Sequence, residues 1–110
     1  NLDQATMFYH AALGLDKMVW TYPGALFLSA GGYHHHLGLN TWAGPTARPP
    51  GDGEARLLDW ELVLPGSDQV KEAAGSLEQA GYPVLRGERG WRAADPWQTT
   101  LSCRSASPPR

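Results

Sequence analysis

Apolar residues recur at helical spacing in two segments of the chain. The first segment starts at Asn1, a residue suited to cap a helix, and stops at Gly14; its apolar positions are Leu2, Ala5, Phe8, Tyr9 and Ala12. The second lies between Ser67 and Gly81, with apolar positions Val70, Ala73, Ala74, Leu77 and Ala80. Because this repeat places the apolar side chains on one face, the pattern predicts two amphipathic helices.

Short apolar and aromatic segments between turn residues predict the strands. In the first half they cover residues 18–22, 25–30 and 33–42, and in the second half residues 57–64, 83–86, 91–94 and 99–104. The order is then α-β-β-β followed by β-α-β-β-β, which indicates two similar modules in tandem. The predicted fold class is α+β, with tandem βαβββ modules that form a curved mixed sheet and carry helices on its outer face.

We expect one domain over residues 1–110. Module one covers residues 1–45 and lacks its first strand, residues 46–55 form a linker, and module two covers residues 56–106. A sheet that lacks an edge strand exposes unpaired backbone N–H and C=O groups. The sequence therefore predicts association, either as a homodimer or with an upstream half of the same protein.

Composition and charge argue against several functional classes, among them nucleic-acid binding and membrane association. Charged residues make up 18% of the chain and the net charge is −2 at pH 7, so the chain lacks the basic surface that nucleic acid or an anionic membrane requires. No apolar run approaches the roughly 18 residues of a membrane span. The single Cys103 forms no internal disulfide, which fits a reducing compartment and predicts a cytoplasmic protein. The five Trp residues indicate either aromatic packing or a pocket with aromatic walls.

Three consecutive histidines fall in the predicted strand 33–42. Side chains alternate along a strand, so His34 and His36 share one face with Asn40 and Trp42. His35 lies on the other face with the leucines of this strand, and we expect that face to pack beneath a helix. The sequence therefore predicts that His34 and His36 point to the open, polar face of the sheet.

The same alternation places two carboxylates, Asp59 and Glu61, on the open face of strand 57–64, opposite its leucines. Two histidines and one carboxylate form the ligand set of non-haem Fe(II) oxygenases. The candidate metal ligands are therefore His34, His36, Asp59 and Glu61. The alternative is that these residues are solvated polar positions on a sheet surface.

Two further assignments follow from the aromatic residues and the cysteine. Asn40, Trp42 and Trp60 are the candidate residues for binding a small aromatic molecule. Cys103 alternates with Leu101 onto the packed side of its strand, which favours a structural cysteine over a nucleophile.

Residues 25–42, with Gly31-Gly32, the three histidines and Asn40-Thr41-Trp42, resemble the C-terminal half of bacterial catechol-2,3-dioxygenase-like proteins. These belong to the vicinal oxygen chelate superfamily of glyoxalases, bleomycin resistance proteins and extradiol dioxygenases. Residues 1–15, 60–65, 80–84 and 95–97 also resemble this family, so the similarity covers nearly the whole chain. The resemblance implies paired βαβββ modules that curl around a divalent metal, Fe(II) or Mn(II), in an oxidoreductase or glyoxalase.

The chain departs from the ligand pattern of that family. Asp59 stands where relatives carry a first-strand His, Ser102 stands where they carry a Glu, and the first strand of module one is absent. The resemblance thus implies the partner half of a ring-cleaving extradiol dioxygenase-like protein, with an incomplete metal site of its own and weak metal binding at most. The alternative is a non-catalytic module that binds a small molecule, as in bleomycin resistance proteins.

Overall fold

The computed structural model describes residues 1–106 of the chain, and these residues fall in two compact units. The first unit runs from Asn1 to Pro49 and the second begins at Pro50. Each unit contains its own sheet, so the strands form two sheets where the sequence predicted a single curved one. The first sheet is antiparallel and the second is mixed, with helical segments in both units. The predicted α+β class is confirmed.

The first unit opens with helix α1 (Leu2–Ala5), which continues directly as a π-helical segment (Thr6–Ala12). Asn1 caps α1, since its side-chain Oδ1 accepts hydrogen bonds from the backbone N–H groups of Asp3 and Gln4 at 2.9 and 3.2 Å. The wider winding is visible where the N–H of Leu13 donates to the carbonyl of Phe8, five residues earlier, at 2.9 Å. Helical spacing predicted this segment but not its π-helical form.

Three antiparallel strands follow: β1 (Asp16–Lys17), β2 (Ala25–Ser29) and β3 (Leu37–Asn40). Leu26 and Leu28 of β2 are fully buried, and β3 places Leu39 and Leu37 opposite them. The strand predicted at residues 18–22 is wrong. The strand that pairs with β2 is β1, which begins two residues earlier and places Asp16 opposite Ser29.

The predicted strand 33–42 is also wrong over its first part, because β3 begins at Leu37. Gly31 and Gly32 adopt φ values of 72° and 79°, left-handed conformations that suit glycine and prolong the turn. The chain rejoins the ladder only where the N–H of His36 donates to the carbonyl of Leu28 at 2.8 Å. The alternation of strand side chains therefore does not apply to the three histidines, and His35 is exposed, not packed beneath a helix.

The second unit has the predicted β-α-β-β-β order. Its elements are β4 (Asp59–Leu64), α2 (Ser67–Gln79), β5 (Leu85–Arg86), β6 (Gly90–Ala94) and β7 (Thr100–Ser105). The strand order is β4-β7-β6-β5, with β4 parallel to β7 and the other pairs antiparallel. Gly66, not the predicted Ser67, occupies the cap position of α2, and Gly81 follows the helix with the expected positive φ of 92°.

Helix α2 packs on one face of this sheet. The buried residues of the helix are Val70, Ala74 and Leu77, and those of the sheet are Trp91, Ala93, Leu101 and Cys103. Their positions at every second residue leave the intervening side chains on the opposite face, which we call the open face. Neither helix within residues 1–106 is both long and apolar enough to span a membrane.

Candidate functional site

The three histidines of the first unit form a surface cluster of rings with Tyr33. The ring centroids of Tyr33 and His34 lie 4.1 Å apart, and those of Tyr33 and His36 lie 5.0 Å apart in a stacked arrangement. His35 contacts His34 edge to face at 4.8 Å. All four side chains are exposed, so both candidate ligands His34 and His36 are open to solvent and near each other.

A hydrogen bond from the backbone determines which ring nitrogen of His36 carries the proton. The N–H of Ala30 donates to Nδ1 of the His36 ring at 3.2 Å. A ring nitrogen that accepts a hydrogen bond carries no proton, so the neutral ring holds its proton on Nε2. Metal coordination needs a free lone pair, and a ligating histidine normally donates its other N–H to an acceptor. In this arrangement neither nitrogen of His36 offers that lone pair.

A row of aromatic side chains lies beside β2 and β3, and we call Trp42, Tyr22, Phe27 and His35 the aromatic row. Tyr22 contacts Phe27 edge to face at a centroid distance of 5.6 Å and lies 6.5 Å from Trp42. At the other end, the Phe27 and His35 rings are 5.3 Å apart. Trp42 is 64% exposed and Tyr22 is 50% exposed, so the row presents ring surface to solvent.

Asn40 and Gly24 position the indole of Trp42. Asn40 is the last residue of β3, and its side-chain Oδ1 accepts a hydrogen bond from the backbone N–H of Trp42 at 3.1 Å. The indole lies over Gly24, where an added Cβ would come within 3.2 Å of Nε1. The candidate binding residues Asn40 and Trp42 are thus neighbours at one end of the aromatic row.

In the second unit, Asp59 and Glu61 are exposed on the open face of β4, as the strand alternation predicts. Glu61 is not free, because Nε of Arg104 donates to its carboxylate at 3.0 Å across the β4–β7 pair. Trp60, the third candidate binding residue, lies between them in sequence and is half-buried on the face that carries α2. The structure therefore places Trp60 away from both carboxylates.

A divalent metal does not fit the residues that this part of the chain supplies. Among residues 1–106, no group of three or more His, Cys, Asp or Glu side chains is arranged to hold an ion. Of the four candidate ligands, His36 is hydrogen-bonded through Nδ1 and Glu61 is paired with a guanidinium. Ser102, opposite Glu61 in the strand pairing, offers only a neutral hydroxyl.

Cys103 is buried beneath α2, as the strand pattern predicts for a structural cysteine. Burial, followed by the negative charge of Glu61, raises the pKa of its thiol to about 11 from an ordinary value of 9.0. Because the thiolate is the nucleophilic form, the Cys103 side chain is inert near neutral pH.

Two groups of residues near the candidate sites were not identified by the sequence. Tyr22 and Phe27 join the aromatic row through contacts that become visible only when residues 16–42 are folded. Arg92 and Arg104 share the open face with Glu61, and alternation with the buried Trp91 and Cys103 supplies the signal that identifies that face.

No family model matches the chain. Over 98 residues the chain is 42% identical to the catechol-2,3-dioxygenase of Bacillus subtilis (strain 168), which covers 87% of the chain and 34% of that protein. The chain thus spans about a third of the length of this relative.

Solved structures of low sequence identity share the fold. A glyoxalase/bleomycin resistance protein/dioxygenase from Alicyclobacillus acidocaldarius has a TM-score of 0.64 at 17% identity, covering 96% of this chain and 83% of that one. The lactoylglutathione lyase of Agrobacterium tumefaciens also has a TM-score of 0.64, at 21% identity, with coverage of 96% and 86%. A glyoxalase/bleomycin resistance protein from Streptomyces sp. CB03234 has a TM-score of 0.62 at 22% identity, with coverage of 94% and 90%.

The sequence match and the fold agree with the motif resemblance of residues 25–42. The chain therefore has a glyoxalase/dioxygenase-like fold, and its sequence match to a catechol-2,3-dioxygenase is consistent with the vicinal oxygen chelate superfamily.

Proposed function

We propose that this chain binds a small aromatic molecule and acts as one part of a ring-cleaving, extradiol dioxygenase-like protein. The observation that carries the proposal is the aromatic row with Trp42 exposed at its end and Asn40 beside it. The identity to a catechol-2,3-dioxygenase over 98 residues supports the choice of an aromatic substrate.

The row offers two complementary contacts to a phenolic ring. Exposed indole and phenol faces favour offset stacking or edge-to-face packing with another aromatic ring. Asn40 uses its Oδ1 for the Trp42 N–H, which leaves the amide N–H donors of its side chain for a ligand oxygen. A ring with hydroxyl substituents satisfies both contacts, whereas an aliphatic molecule of equal size satisfies neither as well.

Catalysis would require metal ligands that residues 1–106 do not assemble. We propose that the remaining ligands come from polypeptide outside this chain, either another part of the same protein or a second copy. The Bacillus subtilis relative is about three times as long as the matched segment, which is compatible with a partner half. A metal bound in such an assembly would supply Lewis-acid or redox chemistry, and this chain would supply ring binding and orientation.

A non-catalytic binding module is the second candidate function. It is favoured by the engagement of His36 with the Ala30 N–H and of Glu61 with Arg104, since both contacts oppose metal coordination. In that case the aromatic row would sequester a ligand without converting it.

Titration of the isolated protein with catechol, followed by NMR chemical shifts, tests the binding proposal. We expect shifts at Trp42 and Asn40 and at least a fivefold weakening in Trp42→Ala, as one aromatic contact contributes about 1 kcal/mol. Trp20→Ala is the matched control, because Trp20 is 71% exposed and lies outside the row. Equal affinity of Trp42→Ala and Trp20→Ala would contradict the proposed site.

The partner-half role has a separate test. We expect ring cleavage when the matched 98-residue segment of the Bacillus subtilis protein is replaced by this chain, because in this proposal the remaining metal ligands come from the rest of the protein. The same replacement with Trp42→Ala should cleave catechol more slowly, since ring binding is weakened. A chimera that binds catechol but does not cleave it would favour the binding module.

A further inference from the structure

The open face of the second sheet carries a row of residues that crosses all four strands. The pairing sets Glu61 opposite Ser102, Ser102 opposite Arg92, and Arg92 opposite Leu85. Arg92 is exposed, whereas its neighbour Trp91 is buried on the other face beneath α2. This alternation fixes the Arg92 side chain on the open face.

Arg92 differs from the other arginines of this sheet because it has no acidic partner. Arg104 is paired with Glu61, and Arg86 is paired with Glu78 of α2 at 2.5 Å. Within the described residues of the second unit, the Arg92 side chain makes no hydrogen bond and no ion pair. Glu61 lies two strands away, about 10 Å at the usual strand spacing. Among the described residues of this unit, the five N–H donors of this guanidinium therefore have no acceptor.

Two open grooves meet at Arg92 and Leu85. One has a volume of about 690 Å³, and Val84 and Ala94 form part of its wall. The other has a volume of about 460 Å³ and includes Arg104. Leu85 is 68% exposed, so it adds apolar surface to both grooves. Arg92 therefore stands where the apolar surface of Leu85 meets polar groups of both grooves.

We infer that this part of the open face is a binding site for a small organic carboxylate. The guanidinium of Arg92 would hold the carboxylate through paired N–H donors, a geometry that suits a planar anion. The apolar body of the ligand would lie against Leu85, Val84 and Ala94. A divalent cation is disfavoured at the same place, because it would approach the unpaired charge of Arg92.

The site goes beyond the proposed function, since it uses residues of the second unit and the aromatic row uses residues of the first. Its ligand class is also different, because a catechol is neutral near pH 7 and presents no carboxylate. The two proposals can therefore succeed or fail separately.

The test is a titration of the whole chain with benzoate, followed by NMR chemical shifts. We expect shifts at Arg92 and Leu85 and at least about tenfold weaker binding in Arg92→Gln, which removes the charge. Arg86→Gln is the matched control: it removes the same charge one residue from Leu85, but its guanidinium is already paired with Glu78. Benzoate affinity should be unchanged in Arg86→Gln.

A second variant keeps the test decisive if Arg92→Gln misfolds. Leu85→Asp places a carboxylate opposite Arg92 at an exposed position, so it should abolish benzoate binding without disturbing the core. Benzyl alcohol, the neutral analogue, should bind at least about tenfold more weakly than benzoate. Equal loss in Arg92→Gln and Arg86→Gln, equal binding of benzyl alcohol, or binding of inorganic phosphate as tight as that of benzoate would overturn the proposed ligand class.

Discussion

The indole N–H of Trp91 donates a hydrogen bond to the backbone carbonyl of Val70 at 2.8 Å, and the contact is buried. It joins β6 to the first turn of α2, twenty-one residues earlier in the chain. The bond satisfies a polar group that would otherwise be buried without a partner, so it both stabilises the second unit and fixes which face of the sheet α2 covers.

Replacing this tryptophan tests its structural role. Trp91→Phe keeps an aromatic ring but removes the donor, leaving the Val70 carbonyl without its indole partner. We expect the free energy of unfolding to fall by roughly 1–3 kcal/mol, measured by urea denaturation. Trp20→Phe, at an exposed position, should change it by less than about 0.5 kcal/mol. Similar small effects in both variants would show that the bond contributes little.

Gly90 is required at the start of β6. A Cβ at this position would lie 1.8 Å from the carbonyl oxygen of Cys103 in the neighbouring strand, closer than any real contact. We expect Gly90→Ala to lower the free energy of unfolding by more than about 2 kcal/mol. Gly75→Ala is the matched control, since nothing lies within 4 Å of its added Cβ in α2, and it should stabilise by roughly 0.5–1 kcal/mol. Comparable denaturation midpoints for the two variants would refute the close approach.

Cys103 should react slowly with iodoacetamide at pH 8 in the native protein and quickly in urea, as judged by intact mass. Burial raises the pKa of the native thiol to about 11, while the unfolded chain titrates near 9.0. The stabilising difference is present below pH 9 and is lost as pH rises from about 9 to about 11, because only the unfolded chain ionises in that window. Cys103→Ala should lack this part of the pH dependence. Rapid alkylation without urea would contradict the burial.

Strand β4 lies at one edge of the second sheet, and this position suggests how two copies of the chain associate. The N–H of Thr100 donates to the carbonyl of Leu58, and that of Ala106 donates to the carbonyl of Leu64. By the alternation of a parallel ladder, the backbone groups of Val63 point away from β7, and no second strand pairs with β4 among residues 1–106. We expect a homodimer in sedimentation at micromolar concentration.

Val63→Pro tests that edge, because it removes an outward N–H and leaves the ladder with β7 intact. The variant should sediment as a monomer with an unchanged circular dichroism spectrum. A wild-type protein that is already monomeric, or a Val63→Pro protein that stays dimeric, would rule out pairing through β4.

Local patterns predicted the second unit well. Helix α2 and the faces of β4 and β7 follow from apolar spacing within about a dozen residues, so Cys103 and Glu61 lie on the faces expected. The histidine segment failed because two successive glycines with positive φ extend the turn, and the residue pattern of a strand cannot reveal that conformation.

The ion pair between Glu61 and Arg104 could not be predicted from the sequence either. The two residues are 43 positions apart, and their contact depends on the register of β4 against β7. The same holds for the Ala30 N–H bond to His36, which determines whether that ring can accept a metal. Candidate ligands can thus be named from residue type, but their availability is set by contacts made elsewhere in the fold.

We propose that this chain binds an aromatic ring but does not by itself assemble a metal site for ring cleavage. The most direct measurement is the formation of ring-opened product from catechol by the isolated chain with equimolar Fe(II) in air, followed by mass spectrometry. We predict no product above that formed by Fe(II) in buffer. Product that forms with the wild-type chain and disappears in the His34→Ala, His36→Ala double variant would contradict the account.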